Sequence, residues 1–139
     1  MVANIDTDII INIQGDEPEI DPANIDILAG LLINAPDCGM ATLVAQFDDA
    51  RLVGDPNIVK AVVDANGYAI YFSRSVIPYD RSAGGVGDVN NYFRHLGAYA
   101  YRKDFLLRIT AMEQGRLEKI EKLEQLRVLE NGYKILTAK

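Results

Sequence analysis

Apolar and polar positions fall into short blocks along this chain, and each block keeps its own period. Ile9, Ile10, Ile11 and Ile13 form a β-branched run that breaks off at Gln14-Gly15-Asp16-Glu17-Pro18. Such a run predicts a strand buried on both faces, with the polar cluster where the strand leaves the sheet. Asp21-Pro22 then supplies an N-cap and a proline for the first helical position, and Ile25, Leu28, Ala29 and Leu32 recur at helical spacing as far as Asn34-Ala35-Pro36. Met40 to Phe47 reads as a second strand with Ala41, Leu43, Ala45 and Phe47 on one side, and a polar turn or short helix follows around Asp48 to Asp55. Ile58 to Asp64 and Tyr68 to Phe72 flank Ala65-Asn66-Gly67. Asn-Gly accepts the positive φ of a tight turn, so these two runs predict an antiparallel hairpin.

Residues 82–91, SAGGVGDVNN, have no apolar period, and neither a buried strand before them nor a helical pattern after them supports a phosphate-cradling reading of GGVG. They predict a mobile surface loop, with a lid as one use. Tyr92 to Tyr101 returns to strand character, with Phe93, His95, Gly97, Tyr99 and Tyr101 on one face and Arg94 on the other. A helix opened by Asp104 carries Phe105, Leu106, Ile109 and Met112, and a second helix runs from about Arg116 to Glu130, stopped by Asn131-Gly132. Tyr133 to Ala138 reads as a last strand. Together these elements predict an α/β fold: a mixed, mostly parallel sheet with flanking helices and an inserted antiparallel hairpin.

The chain has 139 residues, 49% of them hydrophobic and 24% charged, which suits about one globular domain. No apolar run nears the ~20 residues of a membrane span, and no signal peptide opens the chain, so a cytoplasmic protein is expected. A net charge of −6 excludes a broad basic surface for nucleic acid, yet leaves room for anionic substrates if a few arginines and a divalent cation converge. The single cysteine, Cys38, reads as a structural or incidental thiol.

Candidate chemistry gathers at strand ends. In open α/β sheets the edge where strands exit is where ligands bind, and there Gly15 allows close approach while Asp16 offers hard oxygen to a cation. The alternative is that Asp16 and Glu17 only solvate a turn. His95 and Tyr99 share a strand face and, at ~3.3 Å per residue, are expected about 13 Å apart, too far to touch but able to line one pocket, with Gly97 leaving space between them. On the wheel of the second helix Glu124 falls inside the apolar arc and needs a partner, whereas Glu121 and Lys122 read as ordinary surface residues.

INIQGDEP, DPNIVKAVVD, YAIYFSRSVIPYDR, YFRHLGAYAYR and LEKIEKLEQLRVLENGYKI, in this order and spacing, resemble the central and later parts of the 3-deoxy-manno-octulosonate cytidylyltransferase family, the CMP-Kdo synthetases. The resemblance implies a nucleotide-sugar-transferase type of α/β fold, usually a homodimer. It also implies a Mg²⁺-dependent conversion of CTP and the sugar acid Kdo to CMP-Kdo and pyrophosphate, for lipopolysaccharide synthesis. Carried over residue by residue, it makes Asp16 the Mg²⁺-binding, catalytic carboxylate and Gln14 a sugar or nucleotide contact. Arg74 becomes the partner of the sugar's carboxylate, His95 and Tyr99 sugar-pocket residues, and Glu124 and Gln125 acceptors for sugar hydroxyls.

The family pattern also holds segments with no counterpart in these residues: a basic, Gly-containing loop that grips the triphosphate, a stretch that reads cytosine and ribose, and a later metal-binding aspartate. The resemblance therefore implies that residues 1–139 are a single partial domain, lacking the N-terminal CTP-binding segment and the C-terminal end, and inactive alone, because nucleotidyl transfer rests on positioning and charge neutralisation. A sheet edge left uncovered should pair with another chain. Two other readings are a non-catalytic sugar-acid binding or oligomerisation module, and a cytidylyltransferase for a different acidic sugar.

Overall fold

In the computed structural model, residues 4–15 and 21–139 are described. The fold is organised by its longest strand, β5 (Phe93–Arg102), which β2 (Met40–Gln46) pairs along one edge. The other edge is shared end to end: β3 (Lys60–Val63) pairs at Phe93 and Arg94, and β1 (Ile9–Ile13) pairs from Ala98 to Arg102. β4 (Ala69–Ser73) continues outward from β3, and β6 (Leu136–Ala138) lies beside β2, giving the order β4-β3-β5-β2-β6 with β1 on β5.

The sheet is mixed, as expected, but the expectation of mostly parallel pairing is corrected. Among the described residues only β2 and β6 run parallel, since β5 is antiparallel to β1, β2 and β3 alike. β1 is corrected too: Ile9 to Ile11 are half-buried, while Asn12 and Ile13 are exposed. One described strand pairs with it, along one edge.

Helices cover both faces. α1 (Pro22–Asn34) begins as its sequence requires, the Asp21 carboxylate accepting from the Ala23 amide at 2.9 Å with Pro22 in the first turn. Its Leu28 and Leu32 are fully buried against Ala41, Leu43, Ala98 and Ala100. The Arg102 guanidinium closes its far end on the carbonyls of Leu32, Ala35 and Cys38. The Cys38 thiol is buried, donates to the Met40 carbonyl at 3.1 Å, and so behaves structurally.

On the opposite face α3 (Lys103–Thr110) supplies Phe105 and Ile109, and α5 (Leu126–Glu130) supplies Leu126 and Val128, to a core with Met40, Phe72, Tyr99 and Tyr101. Each such side chain removed from water stabilises the fold by roughly 1.5–3 kcal/mol. A short helix α2 (Ala50–Val53), capped by Asp49, packs Val53 on Phe47 and Tyr92. The hairpin is where Asn66-Gly67 puts it: β3 and β4 are antiparallel, and Gly67 has φ 85°. Of the expected loop 82–91, the first part turns on Asp80, whose carboxylate accepts from the amides of Ser82 and Ala83 at 2.9 Å, and the last, Val89–Asn91, is a single 3-10 turn capped by Asp88.

The expected single helix from Arg116 to Glu130 is two pieces, α4 (Arg116–Glu121) and α5. Lys122 adopts the left-handed conformation, φ 56°, and turns the chain between them. Side chains tie the two pieces together. The Glu130 carboxylate accepts from the Leu117 and Glu118 amides at the start of α4, and Glu118 is paired with Arg127 at 2.7 Å.

Candidate active site

Asn12 and Gln14 stand two residues apart at the exit of β1 and open onto a cavity of about 200 Å³ between the sheet and α3–α5. Tyr99 and Tyr101 from β5, Thr110 from α3, and Glu124, Gln125 and Arg127 around the start of α5 complete its polar lining. Gly97 explains how Gln14 fits. A Cβ at that position would lie 2.9 Å from Gln14 Oε1, so the space expected above Gly97 is taken up by the Gln14 amide. The Gln14 backbone amide also donates to the Gly97 carbonyl at 3.1 Å, continuing the β1–β5 ladder one step past the strand.

Of the residues expected from sequence, Gln14, Tyr99, Glu124 and Gln125 meet in this cavity. Gln125 is buried and Glu124 is exposed. Glu124 reaches the cavity from the turn after Lys122, so the helical-wheel reason for its placement is corrected. Asp16 lies outside the described residues. Among the described residues no group of three His, Cys, Asp or Glu side chains could hold a metal ion.

His95 does not line the cavity; it stands behind Tyr99. Its ring centroid is 5.3 Å from that of Tyr99 and 5.0 Å from that of Phe72, so the expected 13 Å separation is wrong. The cause is a break in register: Thr42 pairs with Tyr99 but Leu43 with Leu96, so β5 carries extra residues at Gly97-Ala98 and bends there. His95 Nε2 lies 2.9 Å from Thr42 Oγ1. Loss of water around the imidazole pulls its pKa down from 6.5 to about 4, which keeps it neutral at neutral pH. Burial, helped by the nearby Glu124 carboxylate, raises the Tyr101 phenol above its ordinary value.

Arg74 is also elsewhere. Its Nε donates to the Glu121 carbonyl at 2.8 Å and its Nη1 to the Pro56 carbonyl at 3.0 Å, so the guanidinium ties β4 to α4 and to the turn before β3. Glu121, expected to be an ordinary surface residue, accepts from Ser73 Oγ at 2.6 Å and from the Arg74 amide at 3.0 Å. Arg94 is exposed, as its strand parity requires.

Sequence reasoning passed over Asn12, Thr110, Arg127 and Thr42. Asn12 carried a signal, a lone amide inside an isoleucine run two residues before Gln14. So did Thr42, a hydroxyl inside MATLV. Arg127 carried none, because its carboxylate partner sits nine residues away across a helix break. Its Nε and Nη2 grip both Glu118 oxygens, at 2.9 and 2.7 Å, and its Nη1 donates to the Ile109 carbonyl at 3.2 Å. That pairing lowers the Glu118 pKa and raises that of Arg127.

A larger concavity, about 480 Å³, lies between the end of α1, the start of α3 and Tyr133, and none of the expected residues line it. The smaller cavity, by contrast, gathers polar groups from separate elements.

The family pattern described as Cytidylyltransferase matches residues 1–135. The chain belongs to the cytidylyltransferase family. Among curated proteins, this cytidylyltransferase-family chain is 52% identical over 128 residues to the 3-deoxy-manno-octulosonate cytidylyltransferase of Solibacter usitatus (strain Ellin6076), covering 92% of this chain and 50% of that protein. It is 48% identical over 139 residues to the protein of the same name from Rhodopirellula baltica, covering 96% and 55%. A solved structure of CMP:2-keto-3-deoxy-manno-octonic acid synthetase complexed with CTP superposes on it with a TM-score of 0.89 at 38% identity, over 99% of this chain and 55% of that one. The chain thus spans about half the length of the relatives it matches.

Proposed function

We propose that the cavity between β1, β5 and α5 is the sugar side of a cytidylyltransferase site, and that the whole protein converts CTP and Kdo to CMP-Kdo and pyrophosphate. One observation carries this reading: Gln14, Tyr99, Glu124 and Gln125, from separate stretches of sequence, meet in a single cavity with Asn12 and Thr110. Amides, hydroxyls and a carboxylate around one small space suit a polyhydroxylated ligand, because each sugar hydroxyl both donates and accepts. Arg127 supplies no free cation there, its fork being held by Glu118 and backbone carbonyls. Arg74, expected to meet the sugar's carboxylate, lies outside this cavity with its fork likewise held by the carbonyls of Glu121 and Pro56, and it supplies no free cation there either.

The names of the curated relatives support Kdo as the sugar acid, and the neighbouring structure's complex supports CTP. Mg²⁺ belongs to the proposal through Asp16, a hard-oxygen donor in the residues that follow Gln14, and when bound would draw charge off the triphosphate. A homodimer and a cytoplasmic address belong to it through the family resemblance.

Calorimetric titration of the chain with Kdo, against a neutral sugar with the same number of hydroxyls, tests the sugar site. Kdo should bind, and Gln125→Leu should weaken binding roughly tenfold, the loss of one or two hydrogen bonds of about 1 kcal/mol each. Equal binding of Kdo by wild type and by Gln125→Leu, or no binding of Kdo at millimolar concentration, overturns the reading.

A further inference from the structure

The register break that brings His95 against Tyr99 also puts one buried hydroxyl within reach of three partners. Thr42 is fully buried, and its Oγ1 lies 2.8 Å from the Ala98 carbonyl, 2.9 Å from His95 Nε2 and 3.4 Å from the Leu96 carbonyl. A hydroxyl has one proton to give, and carbonyl oxygens only accept. Were that proton aimed at Nε2, the hydroxyl and Ala98 oxygens would face each other at 2.8 Å with no hydrogen between them, and a buried carbonyl would lose a donor. With the proton on the Ala98 carbonyl, the short contact to the imidazole is a bond only if Nε2 is the donor.

We propose that Thr42 is a positioning residue which fixes His95 as its Nε2–H tautomer and so presents Nδ1 as a hydrogen-bond acceptor. Nδ1 has no hydrogen-bond partner among the described residues, while the rings of Phe72 and Tyr99 pack against the imidazole, edge-on and tilted. An acceptor nitrogen takes a hydroxyl of a sugar and refuses its carboxylate, so Thr42 restricts any sugar group that reaches past Tyr99 to His95, which stands outside the cavity lining, to a hydroxyl. This functional consequence rests on the sugar-site reading above; the tautomer itself does not.

His95 is the chain's single histidine, so its ring nitrogens give one unambiguous set of signals. Two-bond proton–nitrogen correlation spectra of the ¹⁵N-labelled chain at pH 7 should show a pyrrole-like Nε2 and a pyridine-like Nδ1, as a single tautomer. Thr42→Val, nearly the same shape without the hydroxyl, should shift the ring toward the Nδ1–H form or a mixture, and Thr42→Ser should restore the wild-type pattern. A wild-type Nδ1–H spectrum, or an unchanged Nε2–H spectrum in folded Thr42→Val, overturns the proposal; the wild-type spectrum decides even if Thr42→Val does not fold. Adding Kdo separates the two readings. A shift confined to Nδ1 supports both, whereas a wild-type Nε2–H spectrum that Kdo leaves unmoved upholds the role of Thr42 and removes His95 from the sugar site.

Discussion

The pair Glu118–Arg127 shows how much one residue can hold. The Glu118 side chain is 3% exposed and that of Arg127 18%, and the arginine also ties the Ile109 carbonyl to the start of α5. Replacing one member of a buried pair leaves the other charge without compensation, at a cost of about 3–5 kcal/mol. Arg127→Met should therefore lower unfolding free energy by about 3 kcal/mol at pH 7, read from urea denaturation. The acid dependence has a definite sign. Arg127 holds the Glu118 pKa below its ordinary value, so its contribution is complete above the unfolded carboxyl's pKa of about 4.3 and is lost as pH falls through the lower folded value. The wild-type advantage over Arg127→Met should narrow as pH drops below about 4, and a gap that stays constant to pH 3 would refute this account. The resemblance to the cytidylyltransferase family made Gln14, Tyr99, Glu124 and Gln125 legible as a group. It could not show that Arg74 faces backbone carbonyls or that His95 stands behind Tyr99, because both depend on how far apart strands bend.

At the level of elements, sequence period was a good guide wherever a cap or turn residue confirmed it. Asp21-Pro22 opens α1, Asn66-Gly67 turns the hairpin, and Asp104 lies in the first turn of α3. It failed from Arg116 to Glu130, where apolar spacing is continuous but Lys122 leaves helical geometry without being glycine or proline. Left-handed backbone costs a side-chain-bearing residue roughly 1–2 kcal/mol. Lys122→Gly should accordingly raise the denaturation midpoint, by up to about 1 kcal/mol in stability, and Lys122→Val should lower it. Equal midpoints for the two variants would mean that the turn is not set by this backbone angle. The β5 bulge was hidden for a related reason: Gly97 reads as space, and nothing in HLGAY says that the ladder shifts there.

For the whole molecule, the consequential surface is β1. Its outer edge has no strand partner among the described residues, and Ile13 is 38% exposed beside it. Unpaired edges of this kind recruit other strands. Light scattering of the purified chain should show association that grows with concentration, and Ile13→Lys should reduce it. A monodisperse monomer over a hundredfold range of concentration would count against an open edge.

β1 also imposes a schedule. Ile13 pairs with Ala98 and Ile9 with Arg102, so the strand cannot find its described partner until roughly 85 more residues have been made. At about 5–20 residues per second, a ribosome leaves this isoleucine run waiting for about 4–17 s. During that interval it is the stretch on which a chaperone would close.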